Sequence, residues 1–500
     1  MNIASLLREA ARCFPDRPAI SWRGVTLSYR QFDDQAAAFA GWLKHVGAAP
    51  GGRVVLFLDN CPELLVAMFG TFRAGSTVVP CNSRLTADEL AFLAGDSGAR
   101  VMVTDAAHAG VARAAAGSDT LVVVADSDFA GTVAAPPETL EPVDCEPGHT
   151  AWIFYTSGTT GRPKGAMLPH SVLNFCTVSW LADLTPLDEH DVTLHAAPLS
   201  HGAGFHALAA TARAAHQIIP DEVSFDPVAI LQLIAERGVT NTWLVPTQIV
   251  MLTDSALAGT ELPSLRHVVY GGAPMTVGAS TRAIERFGMV FVQLYGQGET
   301  PMTATVLRRQ DHVPELLGSA GRARPGIELR VVDGEGHTVS DGAVGEVVVR
   351  GPSVMSGYWK RPDATSETII DGWLHTGDLG RMSTDGVVWL LDRAKDMIIS
   401  GGSNVYAVEV EQALTGHPMV GEVAVIGIPD DLWGELVVAV VVPPPGVQTD
   451  TAALDAHCRR TLAGYKVPRL YQVTPSLPRN AYGKVLKREL RDTYSRGTTA

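Results

Sequence analysis

The string Tyr155-Thr156-Ser157-Gly158-Thr159-Thr160-Gly161-Arg162-Pro163-Lys164-Gly165 decides the fold. It follows an apolar run, 152–154, with the character of a strand, and it precedes a segment of helical character from about Ser171. Three glycines let the backbone turn tightly and aim its amides inward, four Ser and Thr hydroxyls can donate to oxyanions, and one lysine adds charge. Between a strand and a helix, such a loop is a phosphate cradle. It is not the G-x-x-x-x-G-K-[ST] loop, because Lys164 follows a proline and precedes a glycine.

Working upstream, strand and helix patterns alternate. Residues 53–58 read as a strand (Val54, Val55, Leu56, Phe57). Residues 62–75 carry helical spacing in Leu64, Leu65, Met68, Phe69 and Phe72 and stop at a glycine. A strand at 76–80, a helix at 87–95 and a strand at 100–104 continue the alternation, which predicts a parallel sheet with helices on its faces. Downstream the pattern returns as helix 229–237, strand 242–245, helix 280–287 and strand 290–294. From 326 to 350 it changes to short alternating strands, 328–332 and 346–350, between turn residues, as in an antiparallel sheet or small barrel.

After about Asp392 a smaller unit follows. It has strands near 397–399, 422–427 and 436–442 and helices at 407–414 and 451–462. The boundary falls in Asp392-Arg393-Ala394-Lys395. The expectation is an α/β chain in two parts. A large N-terminal domain, residues 1–394, holds parallel helix-flanked sheets and a small β-barrel. Residues 395–500 form a smaller α+β domain.

Bulk properties narrow the function. A chain of 500 residues exceeds what one core organises, so at least two domains are expected. A net charge of −14 argues against general nucleic-acid binding, which needs a basic footprint. Six scattered cysteines form no C-x-x-C pair, which suits idle thiols in a reducing compartment. Residues 1–18 are amphipathic (Ile3, Leu6, Leu7, Ala10, Ala11) but lack the long apolar stretch of a signal peptide. The apolar run 436–442 is far short of a membrane span. A soluble, cytoplasmic protein is expected.

The loop resembles the signature of the adenylate-forming superfamily: acyl-CoA synthetases, nonribosomal peptide adenylation domains and luciferases. Other strings agree and occur in family order. Pro198-Leu199-Ser200-His201-Gly202 resembles the motif before the acyl pocket, and Tyr270-Gly271-Gly272-Ala273-Pro274 the adenine-side loop. Tyr295-Gly296-Gln297-Gly298-Glu299-Thr300 resembles the Y-G-x-x-E motif, and Thr376-Gly377-Asp378 the ribose motif. Asp392-Arg393-Ala394-Lys395-Asp396 with Ser400-Gly401-Gly402 resembles the hinge and its following loop. Pro478-Arg479-Asn480-Ala481-Tyr482-Gly483-Lys484 resembles the last motif.

The resemblance implies an ATP- and Mg²⁺-dependent ligase of the acyl-CoA synthetase branch. Such an enzyme joins a carboxylic acid to AMP, releases pyrophosphate, and passes the acyl group to coenzyme A. It assigns the β- and γ-phosphates to Thr156, Ser157, Gly158, Thr159, Thr160 and Lys164, Mg²⁺ to Glu299, and the adenine side to Gly272, Ala273, Pro274, Tyr295, Gly296 and Gln297. Asp378 and Arg393 take the ribose, and Lys484 is the catalytic lysine of adenylation. Lys395 is the hinge about which a mobile C-terminal domain rotates, bringing Gly401 and Gly402 toward the thiol. His201 gates the acid pocket or positions the acid, and Gly202, Gly204, Phe205, Gly271 and Met302 line it, small or apolar residues that suit a neutral fatty or aryl tail.

One departure stands out. Where the family has Thr or Ser before the glutamate, this chain has Gly298; Thr300 or a backbone amide is expected to compensate. Two other readings stay open: a ligase that loads a carrier-protein thiol, and a catalytically silent nucleotide-binding relative. His195 and His206 flank His201 but lack the spacing of a zinc site.

Overall fold

The Val-rich strands Arg53–Phe57 and Val101–Thr104 pair in parallel and send alternate residues to opposite faces. Val54, Leu56, Val101 and Val103 enter one apolar cluster, while Val55, Phe57 and Met102 enter another. Apolar residues on both faces are what a helix-covered parallel sheet demands. This computed structural model describes residues 1–134, 141–156, 162–257, 259–393, 396–400, 403–430, 433–479 and 485–495, with the backbone alone at 393 and 403.

The sheet has six strands, in the order Leu121–Val124, Val101–Thr104, Arg53–Phe57, Thr77–Pro80, Thr150–Thr156, Lys164–Pro169. All neighbours are parallel except the last pair, a hairpin that carries the phosphate loop. The connecting helices start where expected but end elsewhere: Pro62–Arg73 stops short of 75 and Ala87–Ser97 runs past 95. Ala87–Ser97 begins at a capping box between Thr86 and Glu89 and ends at Gly98 with φ 68°.

A second sheet of nine strands has six parallel strands at its centre: Phe291–Gln297, His267–Tyr270, Asn241–Leu244, Val192–Leu194, His216–Ile218 and Pro18–Trp22. Antiparallel strands close both edges. The change of character after 326 is a five-stranded antiparallel, half-barrel sheet built from Glu328–Val332, Val344–Arg350, Ile369–Ile370, Trp373–Met382 and Val388–Arg393.

The C-terminal unit is α+β. Glu422–Asp430 and Gly434–Val442 pair along their whole length, and Leu470–Val473 adds in parallel. The run that looked uniformly apolar is a strand covered on both sides. Val437, Ala439 and Val441 pack with Val410 and Leu454 of the helices Ala407–Thr415 and Thr451–Thr461. Val438 and Val440 pack with Leu490 of the helix Lys487–Ser495.

Among the described residues no helix is long and apolar enough to cross a membrane. All six cysteines are free, and Cys61, Cys81, Cys176 and Cys458 are buried. Desolvation pushes the Cys81 thiol up to about 12 and that of Cys176 to about 11, so neither is a nucleophile at neutral pH.

Candidate active site

Open α/β sheets bind ligands beyond the carboxyl ends of their strands. Thr150–Thr156 ends in the phosphate loop, His267–Tyr270 in Gly271-Gly272-Ala273-Pro274, and Phe291–Gln297 in Gly298 and Glu299. Backbone pairing sets Thr156 opposite Lys164 at the base of the loop.

Glu299 is the buried carboxylate of this edge, 8% exposed. Its Oε1 accepts from Thr156 Oγ1 at 3.0 Å and from the Tyr358 hydroxyl at 2.8 Å. Among the described residues nothing donates to Oε2. The Tyr358 ring also lies 5.2 Å from Lys164 Nζ, so one tyrosine serves both the loop lysine and the carboxylate. Tyr358 is held by the hairpin itself, through an Ala166–Tyr358 bridge and a bond from Trp359 N to Gly165 O at 2.8 Å.

A second carboxylate, Asp378, stands on the half-barrel strand Trp373–Met382 and is 8% exposed. Its Oδ2 accepts from Tyr295 and from Gln297 Nε2, both at 2.6 Å. Gln297 also donates to Thr376 O at 2.8 Å. Asp378 and Arg393 are opposite each other in the antiparallel register of the half-barrel. The hairpin residues Tyr295, Gln297 and Glu299 thus join the two carboxylate centres.

Gly298 has a steric explanation. A Cβ there would lie 2.4 Å from Thr156 Cγ2 and 2.7 Å from Phe154 Cδ1. The expected compensation by Thr300 does not hold. Its hydroxyl pairs with Ser353 Oγ at 2.7 Å, both residues being fully buried, so it faces the interior. Thr156 is the hydroxyl residue that stands beside position 298.

On the acid side, His201 precedes the helix Gly202–Ala212, with its ring 4.7 Å from that of Phe154. Desolvation pushes His201 down to about 4, so it is a neutral imidazole at pH 7. A Cβ on Gly202 would meet Met302 Cε at 2.3 Å and Trp243 Cζ2 at 2.8 Å; both side chains therefore lie on the Gly202 Cα. Phe205 stacks on Trp152 with centroids 4.8 Å apart. Two of the expected pocket glycines serve close packing: Gly204 faces Leu199 O and the Trp152 ring, and Gly271 faces Leu294.

Ser157, Gly158, Thr159, Thr160, Lys395, Gly401, Gly402 and Lys484 lie outside the described residues, as does the Arg393 side chain. Ala273 and Pro274 are exposed on their loop. Sequence reasoning missed Tyr358, Trp243 and Asp96. Asp96 accepts from the Tyr155 hydroxyl and from Arg361 Nη2, each at 2.7 Å, tying the loop strand to the 358–361 segment. Next to it a groove of about 400 Å³ is bordered by Arg162, Lys164, Lys360 and Arg361 together with Asp363 and Glu367. His195 and His206 bond Gln217 at 2.9 Å and Asn241 at 2.8 Å; they are core residues.

Comparison with known proteins fits this geometry. The family model described as AMP-binding enzyme matches residues 7–359, and that of the AMP-binding enzyme C-terminal domain matches residues 409–484. A feruloyl-CoA synthase of an Amycolatopsis species is 40% identical over 97% of each chain. A fatty acid–acyl-carrier-protein ligase of Streptomyces coeruleorubidus is 37% identical over 96% of this chain and 94% of its own. The crystal structure of ATP-bound MatB from Rhodopseudomonas palustris superposes with a TM-score of 0.90 at 33% identity, covering 99% of each chain.

Proposed function

The chain belongs to the AMP-binding enzyme family, among its AMP-forming acid–CoA ligases; from that premise we propose that its acid carries a neutral apolar tail, aryl or arylpropenoic in preference to long-chain fatty. The observation behind this preference is the meeting of Met302 and Trp243 on the Gly202 Cα. The Trp243 ring edge and the Met302 methyl, meeting over a glycine, are apolar surfaces that suit an aromatic ring.

In the first step a carboxylate oxygen attacks the α-phosphorus of ATP; the bond to the β-phosphate oxygen breaks and pyrophosphate leaves. In the second the thiol sulfur of CoA attacks the acyl carbon and AMP leaves. Two anions must meet in the first step, so fixed cations and donors carry the catalysis. We assign Ser157, Thr159, Thr160 and Lys164 to the β- and γ-phosphates and Asp378 with Arg393 to the ribose hydroxyls. Tyr295 and Gln297 hold Asp378 in place for that work. Lys484 is assigned to the carboxylate and α-phosphate, where a flexible point charge can bridge both.

The residues around Glu299 fit Mg²⁺. Among the described residues, hydroxyl donors occupy one carboxylate oxygen and none donates to the other, a hard ligand that suits a hard cation. When bound there Mg²⁺ supplies positive charge to the phosphates. Thr156 and Tyr358 orient the carboxylate for it, as outer partners of metal ligands do. We place the domain boundary at 394–395, with Lys395 as hinge and Gly401 and Gly402 arriving at the thiol after rotation.

The test is acid-dependent pyrophosphate release from ATP and Mg²⁺, with and without CoA, over a panel of aryl, arylpropenoic and fatty acids. Release that rises with CoA and favours aryl acids supports the reading; preference for long fatty acids overturns the tail assignment. A second acceptor is favoured by the relative that loads an acyl-carrier protein. Product on a phosphopantetheinylated carrier, with none on CoA, would select it.

A further inference from the structure

Among the described residues Met302 is one of few non-glycine residues with positive φ, at 58°. Residues with a side chain hold that conformation only where the surroundings over-determine it. It sits in a bulge of the hairpin that carries Glu299. Tyr295 pairs with Thr305 and Gln297 with Thr300, so Gly296 alone faces the four residues Pro301 to Ala304. Only a glycine fits opposite: a Cβ at 296 would be 2.6 Å from Met302 N. Bulges beside active sites re-aim a side chain, and this one aims the Met302 thioether onto Gly202 and Trp243.

The bulge is pinned from one side. Arg324, its side chain 1% exposed, donates from Nη1 to Met302 O at 2.8 Å. The same guanidinium grips Asp183 through Nη2 at 2.6 Å and Nε at 3.0 Å. Asp183 is the last residue of the helix His170–Asp183, and Cys176 of that helix accepts from Thr303 Oγ1 at 3.2 Å. A planar fork can hold a carboxylate and a carbonyl together; a lysine cannot reproduce it. Methionine is by itself a compliant wall, with three rotatable bonds.

We propose that the pair of buried Arg324 and half-buried Asp183 is a positioning device that clamps Met302 in its left-handed conformation, so that the thioether closes the acid pocket over Gly202 and sets the size of acid accepted. The proposal rests on reading that pocket as the acid site. Arg324 is a positioning residue, acting on substrate through Met302.

The test compares wild type, Arg324→Leu/Asp183→Leu, Met302→Gly and the triple variant. Replacing both partners avoids stranding one buried charge. KM and kcat are read from pyrophosphate release over acids of increasing bulk. In the paired variant the optimum should move to bulkier acids. KM for the wild-type optimum should rise roughly tenfold while kcat changes less than about threefold. With Met302→Gly the clamp should become superfluous, since glycine adopts positive φ unaided, so the triple variant should match the single one. Arg324→Lys should fall between. An unchanged size profile in the paired variant, or an undiminished effect of the pair in the Met302→Gly background, overturns the proposal. If wild type activates no acid, the functional reading fails separately. The clamp is then judged in ligand-free protein from the Met302 ε-methyl NMR signal. One sharp resonance in wild type, broadened or split in the paired variant, supports it; identical spectra reject it.

Discussion

The Tyr358 hydroxyl donates to Glu299 Oε1 across 2.8 Å, while its ring lies 5.2 Å from Lys164 Nζ. The residue couples the carboxylate assigned to the metal with the lysine assigned to the phosphates, from a segment outside every string that marked the site in the sequence. Removing such an outer partner typically costs about 10–100-fold in metal affinity or activity. Tyr358→Phe keeps the ring under Lys164 and deletes only the hydroxyl. The Mg²⁺ concentration for half-maximal pyrophosphate release should therefore rise by about tenfold, with KM for the acid little changed. A shift in acid KM with the Mg²⁺ curve unmoved would contradict the assignment.

Restoring the family's residue at 298 should hurt. A side chain there meets Thr156 Cγ2 at 2.4 Å and Phe154 Cδ1 at 2.7 Å. Overpacking of that kind costs about 1–3 kcal/mol. Gly298→Thr should lower the denaturation midpoint and slow adenylation, because Thr156 must turn away from Glu299. Adding Thr156→Ser removes the methyl in the way and keeps the hydroxyl, so part of both losses should return. Full activity in Gly298→Thr alone would show that the neighbours yield at no cost.

The lysine assignments separate by half-reaction. Lys484→Ala should abolish adenylate formation and spare thioester formation from supplied acyl-adenylate, since the rotated domain no longer needs that lysine. Loss of one transition-state donor is worth about 10²–10³ in rate. Lys395→Pro should do the reverse, impairing thioester formation more than adenylation, because a hinge must absorb the backbone change. Rapid-quench measurement of each half-reaction decides; equal loss of both steps in either variant sinks its assignment.

Much of this was legible in the sequence, for definite reasons. Short apolar runs alternating with helical spacing and Gly stops marked the strands at 53–58 and 100–104 as a parallel sheet, and alternation at 328–332 marked the antiparallel sheet or small barrel that is the half-barrel. Glu299 and Asp378 stood inside recognisable strings. Tyr358 did not, since a Gly-Tyr-Trp run has no chemical signature until a hairpin places it over a carboxylate. Thr300 misled because adjacency in sequence says nothing about which face of a strand a hydroxyl takes; here it is the face of Ser353. The Arg324–Asp183 pair spans 141 residues and shows no local pattern at all. Long-range pairs of this kind become visible only after folding.

Acid stability should follow the buried histidines. Desolvation holds His195 at about 4 and His206 well below its usual value, while both bond neutral amides. In an unfolded chain such groups titrate near 6.5. Above about pH 6.5 neither state is protonated and their effect on stability is flat. As pH falls from about 6.5 toward 4, the unfolded chain takes up protons that the fold refuses, so stability is lost across that window. Each group contributes up to about 1.4 kcal/mol per pH unit there. Urea unfolding at pH 7.5 and 5.0 should show the midpoint falling at the lower pH. His195→Gln/His206→Gln, which keeps amide-compatible donors and removes two titrating groups, should lessen that fall while leaving the pH 7.5 slope with denaturant unchanged. An equally steep fall in the double variant would mean that other groups govern acid unfolding.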